Sequence, residues 1–218
     1  MGIIELDAYV LIISGVDRWS FIDGLSTNKV EQSCSTVLTD KKAKIIDVID
    51  VVEVGENCAV VGYGPYKENV LKHFQPRILQ QKVSIRDVTS LNRVYASTSP
   101  FPQKDGATVS QSYLGWIVIT SQSSPLVSTL SEAEFTDYRT RNLIPYQGHE
   151  ITPKVNPFNC GLEGLVHQSK GCYIGQEILT RMRSRGQMGK QLMQVSKGAE
   201  DATSVGDEFA LVIRRTAV

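Results

Sequence analysis

Apolar and polar residues follow two periods along this chain, one near two and one near three and a half. Tyr9–Ser14 is a compact apolar run that stops at Gly15, the pattern of a buried strand. Asp17 then stands where a helix N-cap belongs, and in Arg18–Leu25 the side chains of Trp19, Ile22 and Phe21 gather toward one helical face. Two β-rich runs follow, Lys44–Val54 and Asn57–Gly62, and Gly55-Glu56 between them reads as a hairpin turn. Gly64-Pro65 breaks the pattern. Lys67–Leu79 puts Val70, Leu71 and Phe74 at helical spacing until Pro76 interrupts it, and Lys82–Val88 alternates as a strand. The resulting order, β-α-β-β-α-β, is that of a ferredoxin-like split βαβ unit.

Residues 89–133 repeat this grammar more weakly. Arg93–Ala96 and Trp116–Thr120 read as strands, whereas Ser97–Gly106 (rich in Pro and Ser) and the serine tract Ser121–Ser131 read as loops. Glu132–Asn142 has a helical pattern that ends before Pro145. Residues 145–169 are irregular, punctuated by Pro145, Gly148, Pro153, Pro157, Gly161 and Gly164. The fold class predicted is α+β, built from ferredoxin-like units with antiparallel sheets. A first unit spans about 1–88 and a second about 89–160.

At 218 residues the chain makes one large domain or two small ones. It is long enough to bury roughly 70% of its unfolded surface without staples. The 23 basic residues match the 23 acidic ones, which removes the broad positive field of non-specific nucleic-acid binding but leaves room for a local patch. No run reaches the roughly 18 apolar residues of a membrane span. Tyr9–Ile13 is too short for a signal core and follows Glu5 and Asp7, so the expected location is cytoplasmic. Cys34, Cys58, Cys160 and Cys172 form no C-x-x-C pair, and His73, His149 and His167 lie far apart, so neither disulfides nor a metal site are expected.

The segment 165–190 has a different character. Lys170-Gly171-Cys172-Tyr173-Ile174-Gly175-Gln176-Glu177 runs into a helix-compatible stretch where Ile178, Leu179 and Met182 share a face and Gly186 supplies a stop. A helix beginning near Gly175 or Gln176 places Cys172 just ahead of its positive end, with Lys170 nearby, an environment that favours a thiolate. A tight glycine turn holding a packed cysteine reads equally well from these residues.

The run K-G-C-Y-I-G-Q-E resembles the signature of the YgfZ-like branch of the glycine-cleavage T-protein (aminomethyltransferase) superfamily. Arg181 and the pair Arg185-Gly186 continue the resemblance. So do Asn142-Leu143-Ile144-Pro145, Gly148-His149-Glu150, and Asn156-Pro157 with Gly161-Leu162. Near the N-terminus, Ser14-Gly15-Val16-Asp17 and Gly24-Leu25-Ser26-Thr27-Asn28 look like the family's opening. The likeness spans residues 10–195 and is thin between 89 and 134.

The resemblance implies a tetrahydrofolate or related reduced pterin as ligand, and a role in assembling or repairing iron–sulfur proteins, linked in some members to tRNA modification. Its candidate catalytic residues are Cys172, Lys170 and Asp47. Its candidate ligand contacts are Asp47, Phe135, Tyr173, Gln176, Glu177, Arg181 and Arg185. Asp47 falls where T-proteins carry an aspartate beside the reactive folate nitrogens, although a one-residue gap would displace it. On a strand Asp47 and Asp50 face opposite sides, so one of them lines a pocket. If buried, that carboxyl has a raised pKa and suits acid–base work. There are departures from the family pattern. Leu143 replaces a glycine, Arg141 stands where T-proteins hold the pterin with a glutamate, and Pro157-Phe158-Asn159 replaces P-x-E. The family's C-terminal β-barrel is represented only by residues 191–218, enough for two or three strands.

Three functions follow as expectations: a folate-binding accessory of iron–sulfur clients acting through Cys172, a one-carbon (aminomethyl) transferase using Asp47, and a binding module. The module would use Arg181, Arg183, Arg185 and Lys190 to meet RNA phosphates or a polyglutamate tail, unless these side chains form only a solvated face. Gly62-x-Gly64 lacks the lysine and spacing of a phosphate loop.

Overall fold

The chain opens with β1 (Ile3–Glu5) and β2 (Ala8–Ser14), then α1 (Arg18–Leu25), β3 (Cys34–Thr39), β4 (Ile45–Val54) and β5 (Asn57–Tyr63). It continues through α2 (Lys67–Phe74), β6 (Ser84–Asp87), β7 (Asn92–Ser97), β8 (Ala107–Ser112), β9 (Gly115–Ser121) and α3 (Glu132–Arg141). The last elements are α4 (Gln176–Ser184), β10 (Lys190–Ser196), β11 (Ser204–Val205) and β12 (Phe209–Arg215). The structure is a computed structural model that describes residues 2–185 and 189–215. Gly186, the expected helix stop, lies outside the described residues.

The first sheet is antiparallel, in the order β3-β4-β5-β2-β6. Without β3, the fourth, first, third and second strands of a split βαβ unit lie side by side. One face is covered by α1 and α2, through Leu11, Ile13, Ile49, Val51 and Val60 against Phe21, Ile22, Val70 and Phe74. Pro76 ends α2 early, and Gln75–Arg77 becomes a 3-10 turn.

β3 is absent from the hydropathy pattern because Ser35, Thr36 and Thr39 make Cys34–Thr39 read as a polar connection. All three are buried, and their hydroxyls have partners. Thr36 Oγ1 accepts from Asn28 N at 2.9 Å, and Thr39 Oγ1 donates to Ile174 O at 2.5 Å.

The second sheet has the order β1-β7-β9-β8 and packs on the open face of the first, with Val94, Ile117 and Ile119 meeting Val10, Val52, Ala59 and Val61. It repeats the first unit's strand order, with the N-terminal β1 as its fourth strand. β1 pairs with β7 through Ile3↔Ser97 to Glu5↔Tyr95. The N-terminal residues therefore cross the boundary drawn at about residue 88 from the sequence. β8, with its Thr, Ser and Gln side chains, is a second strand missed by the hydropathy pattern.

α3 starts in a capping box between Ser131 and Glu134 and packs Phe135 against Ile4, Ala96 and Leu114. Among the described residues the C-terminal sheet, β10-β12-β11, has three strands and does not close into a barrel. It meets α3 at a buried ion pair between the helix and the segment after it, Arg139 Nη1 to Glu150 Oε2 at 3.3 Å, in which both side chains are almost wholly buried. Ser204 joins this pair, accepting from Arg139 Nη2 at 3.2 Å and donating to Glu150 Oε1 at 2.7 Å. Arg141 reinforces the junction through Asp137 at 2.6 Å and Glu208 at 3.1 Å. Among the described residues no helix is long and apolar enough to cross a membrane.

Arg139→Met strands Glu150 as an unpaired buried charge, and we expect a loss of about 3 kcal/mol in urea unfolding. Faster amide exchange in β11 and β12 than in β4 and β5 is the accompanying local signature.

Candidate functional site

Asp47 lies near the start of β4, just after a bulge that shifts the register between Leu38 and Thr39. Its side chain is wholly buried, so each carboxylate oxygen needs donors from the protein. Tyr9 Oη donates to Oδ2 at 3.0 Å and Tyr63 N at 3.1 Å. Val48 N donates to Oδ1 at 2.8 Å, and Gln147 Nε2 reaches the same oxygen at 3.4 Å. These bonds favour the charged form, but burial in the sheet outweighs them and pushes the carboxyl up to about 7. Asp47 is therefore a group that can take or release a proton near neutral pH.

Gly62 makes this arrangement sterically feasible. A Cβ there would stand 2.3 Å from both Asp47 Oδ2 and the Tyr9 hydroxyl.

Asp50, three residues on, points to the opposite face of β4, as strand geometry requires. It accepts from the Ser35 hydroxyl and, at 2.8 Å, from that of Ser112, and burial raises its carboxyl to about 6. Ser112 and Tyr113 belong to the second unit, so this carboxylate also joins the two sheets. Tyr113 Oη donates to Gln147 Oε1 at 2.6 Å, which links the surroundings of Asp47 and Asp50.

Asp50, Tyr63, Tyr113, Tyr146 and Gln147 line a small cavity of about 20 Å³, room for about one water. A wider cleft of about 290 Å³ adjoins it, and the two share Leu6, Asp7, Tyr63 and Tyr146. Asp50, rather than Asp47, lines the cavity. Asp47 communicates with it through Tyr63 and Gln147.

Phe135 lines the wider cleft, its ring 5.8 Å from that of Tyr146. The other sequence-derived candidates lie elsewhere. Lys170 is buried, and its ammonium donates to Asp23 O at 2.6 Å, Asn28 O at 2.7 Å, and Ser26 O and Asp23 Oδ1 at 2.9 Å. Thr27 adds a bond to Leu165 O at 2.6 Å. The motif-rich segments 24–28 and 165–170 are thus brought together, although 138 to 147 residues separate the bonded pairs.

This geometry changes the role drawn for Lys170. Its ammonium holds the turn after α1. The thiol nearest its influence is Cys34, whose ionisation the ammonium favours, yet burial and Asp50 still push that thiol up to about 11. Cys172 is exposed, ahead of the α4 N-cap Gly175. Gly175 itself has φ +87°, and a Cβ there would stand 2.7 Å from Asp40 O, so the signature turn sits tightly on the β3–β4 connection.

Tyr173 packs with Ala43, Phe158, Val166 and Leu179, under the Lys170 ammonium at 5.6 Å. Gln176 Nε2 reaches Lys170 O and Gly171 O, each at 3.4 Å. Glu177 pairs with Arg181 at 2.7 Å, so Arg181 is not an unmatched cation. Arg183 donates to Val166 O at 2.9 Å and lies 5.2 Å from the Phe158 ring. Of the four expected basic residues, Arg181, Arg185 and Lys190 are exposed and Arg183 is half-buried. None of Lys170, Cys172, Tyr173, Gln176, Glu177, Arg181 and Arg185 lines the cavity or the cleft.

Tyr9, Tyr63, Tyr113, Gln147 and Ser112 escaped the sequence reading. A tyrosine and a glycine inside otherwise aliphatic strands were the available signals for Tyr9 and Gly62, since glycine in a strand marks a close approach. Nothing local marks Gln147 or Ser112. Arg141, where the sequence resemblance puts the pterin-holding glutamate of T-proteins, is engaged by Asp137 and Glu208.

No family model matches the chain, and no curated protein matches it in sequence. Among solved structures it is similar to the crystal structure of glycine cleavage system aminomethyltransferase T from Bartonella henselae. The TM-score is 0.76 at 13% identity, over 98% of this chain and 78% of that one. The likeness is one of fold: the chain resembles the T-protein fold in its α+β units and antiparallel sheets.

Two outcomes test this site's energetics. Asp47 binds its proton more tightly folded than unfolded, so its contribution is complete below about pH 4 and lost as pH rises through about 7. The stability difference between wild type and Asp47→Asn should fall over that interval by up to about 4 kcal/mol, read from urea curves at several pH values. A flat difference contradicts the raised carboxyl. Lys170→Met removes the donor shared by four acceptors, and about 3 kcal/mol should be lost, with faster proteolysis near 24–28 and 165–175.

Proposed function

We propose that this protein binds a reduced folate in the cleft that Asp47 reaches through Tyr63 and serves iron–sulfur proteins as a YgfZ-like accessory, with Cys172 as its outward-facing thiol. The observation that carries the folate half is Asp47: a wholly buried carboxyl held near neutrality, connected through Tyr63 to a cleft with aromatic walls. The signature run around Cys172 carries the YgfZ-like half, and the exposure of that cysteine suits contact with a client protein.

The residues present fit a folate head. A volume of about 290 Å³ lies at the lower edge of the roughly 300–1,000 Å³ of ligand pockets, enough for a two-ring head with its tail outside. Folate supplies a one-carbon unit on a ring nitrogen. This chain supplies a proton acceptor and donor at Asp47 and a ring wall at Tyr63, Tyr146 and Phe135. A link to tRNA modification belongs to the same reading, through the iron–sulfur client.

One observation favours a second reading, a one-carbon (aminomethyl) transferase: a carboxyl near pH 7 is tuned for acid–base catalysis. Separation of Cys172 from the cavity makes the two readings separable by mutation. Tetrahydrofolate titrated calorimetrically should bind wild type and Cys172→Ser alike, and Asp47→Asn at least tenfold more weakly, about 1.4 kcal/mol. In cells lacking the protein, iron–sulfur enzyme activity should be restored by wild type and not by Cys172→Ser. Full restoration by Cys172→Ser, together with loss in Asp47→Asn, selects the transferase. Absence of tetrahydrofolate binding to wild type removes both.

A further inference from the structure

The connection from β3 to β4 carries a concentration of positive charge that the fold does not use. Lys44 lies at its end and Lys72 on α2, and the two line one cleft of about 270 Å³ whose wall includes Ile46, Asn69 and Pro153. The Lys44 ammonium donates to Lys154 O at 2.6 Å, which brings Lys154 to the same edge. Lys41 and Lys42 occupy the turn itself. Lys41, Lys42, Lys72 and Lys154 are exposed, and Lys44 is half-buried. Among the described residues none of these lysines forms an ion pair, and neither does Glu68, one turn before Lys72 on α2. Lys29, Lys67 and Lys170, by contrast, each hold a carboxylate at 2.8–2.9 Å. The acid inside the turn, Asp40, is spent on the backbone: its Oδ1 accepts from the amides of Lys42 and Lys44, each at 2.8 Å.

This connection is fixed in shape, and the signature turn rests on it. Asp40 N donates to Lys44 O and Ala43 N to Asp40 O, each at 2.9 Å. Ala43 has φ +58°, a conformation that costs a residue with a Cβ, and it is held there wholly buried in one cluster with Tyr173. Ile174 O accepts from the Thr39 hydroxyl, and Gly175 approaches Asp40 and Ala43 too closely to carry a side chain. Tyr173, Ile174 and Gly175 therefore all sit on residues 39–43. The exposed Cys172 immediately precedes them, so the thiol and the lysines belong to one built surface.

We propose that this lysine surface docks an acidic segment of a protein partner and presents it to Cys172. The assignment rests on the accessory reading above, in which the thiol meets a client, and it names the client's contact face as one rich in Asp and Glu. Unmatched cations speed the encounter with such a face and reject basic ones. Ammonium groups on flexible stems adapt to irregularly spaced carboxylates, whereas phosphate recognition favours the planar fork of arginine. Binding of single-stranded RNA also calls for aromatic platforms, and neither an arginine nor an aromatic ring lines this cleft. A protein carboxylate face is thus favoured over RNA.

The test uses the full chain and two variants of equal charge. Lys41→Gln/Lys42→Gln/Lys72→Gln strips the surface, and Lys82→Gln/Lys104→Gln/Lys197→Gln removes exposed cations elsewhere. Fluorescein-labelled polyglutamate, followed by anisotropy at low salt, should bind the first variant about tenfold more weakly than wild type and the second within about twofold. The thiol is read by its rate with a dianionic nitrobenzoate disulfide relative to a neutral dipyridyl disulfide, and Cys172→Ser identifies its phase. That ratio should fall about threefold in the first variant alone, and the difference should shrink at high salt. Both variants should unfold at temperatures close to wild type.

If polyglutamate binds the two variants alike, or if both lower the rate ratio equally, the surface assignment is wrong and the accessory reading stands. Tighter binding of oligouridylate than of polyglutamate, lost in the first variant alone, makes this a nucleic-acid surface and overturns the assignment. If the first variant behaves as expected while Cys172→Ser fully restores iron–sulfur enzymes in cells, the acidic docking surface holds and the accessory reading falls.

Discussion

A carboxylate placed inside a sheet with no cation beside it is the constraint around which this protein is arranged. Asp47 has to draw its donors from three separate parts of the chain: Tyr9 on β2, Tyr63 at the end of β5, and Gln147 in the irregular segment after α3. Those contacts demand a particular register between β2, β4 and β5, and a glycine at position 62 to leave the space. A salt-bridged aspartate would be locked in its charged form. This one, held by neutral donors against the cost of burial, remains able to change protonation near pH 7. Stability and chemistry are in tension at one residue, as is common where a site is built for function.

Two other buried charges follow the opposite logic. The Lys170 ammonium is surrounded by carbonyl oxygens and Asp23, and Arg139 is matched by Glu150. Each connects distant stretches of chain: Lys170 ties the signature segment to the turn after α1, and Arg139 ties α3 to the C-terminal sheet. Because Lys170 is committed in this way, the signature segment serves first as an architectural element. Cys172 is left on the surface, away from the cavity of Asp50. The division leaves a titratable carboxyl inside the first unit and an exposed thiol on the outside of the fold.

The two sheets share more than apolar contact. Asp50 of the first accepts from Ser112 of the second, and Tyr113 reaches Gln147, so polar bonds border the cavity at the junction. β1 crosses from the N-terminus into the second sheet, and the cleft opens along the connection from β1 to β2. A ligand seated there would touch both units and α3 at once.

Much of this was legible in the sequence. Apolar periodicity is a local property, and it placed β2, α1, β4, β5 and α3 within a residue or two, together with the split βαβ order of the first unit. The run around Cys172 was likewise plain in the residues, whereas Asp47 was offered only by aligning the chain with the family it resembles. β3 and β8 could not be read there, because their hydroxyl-bearing side chains read as polar connections, and two of the partners they find, Ile174 for Thr39 and Asp50 for Ser112, lie far away in the chain. The sequence also offered Lys170 as a neighbour of Cys172, whereas its ammonium found better acceptors at Asp23, Ser26 and Asn28. It presented four basic residues as one surface, but Glu177 and the Val166 carbonyl claimed two of them. Spacing along a chain determines which residues can share a strand or a helix face. Which partner satisfies a buried charge depends on distances in space, and these exist only once the chain has folded.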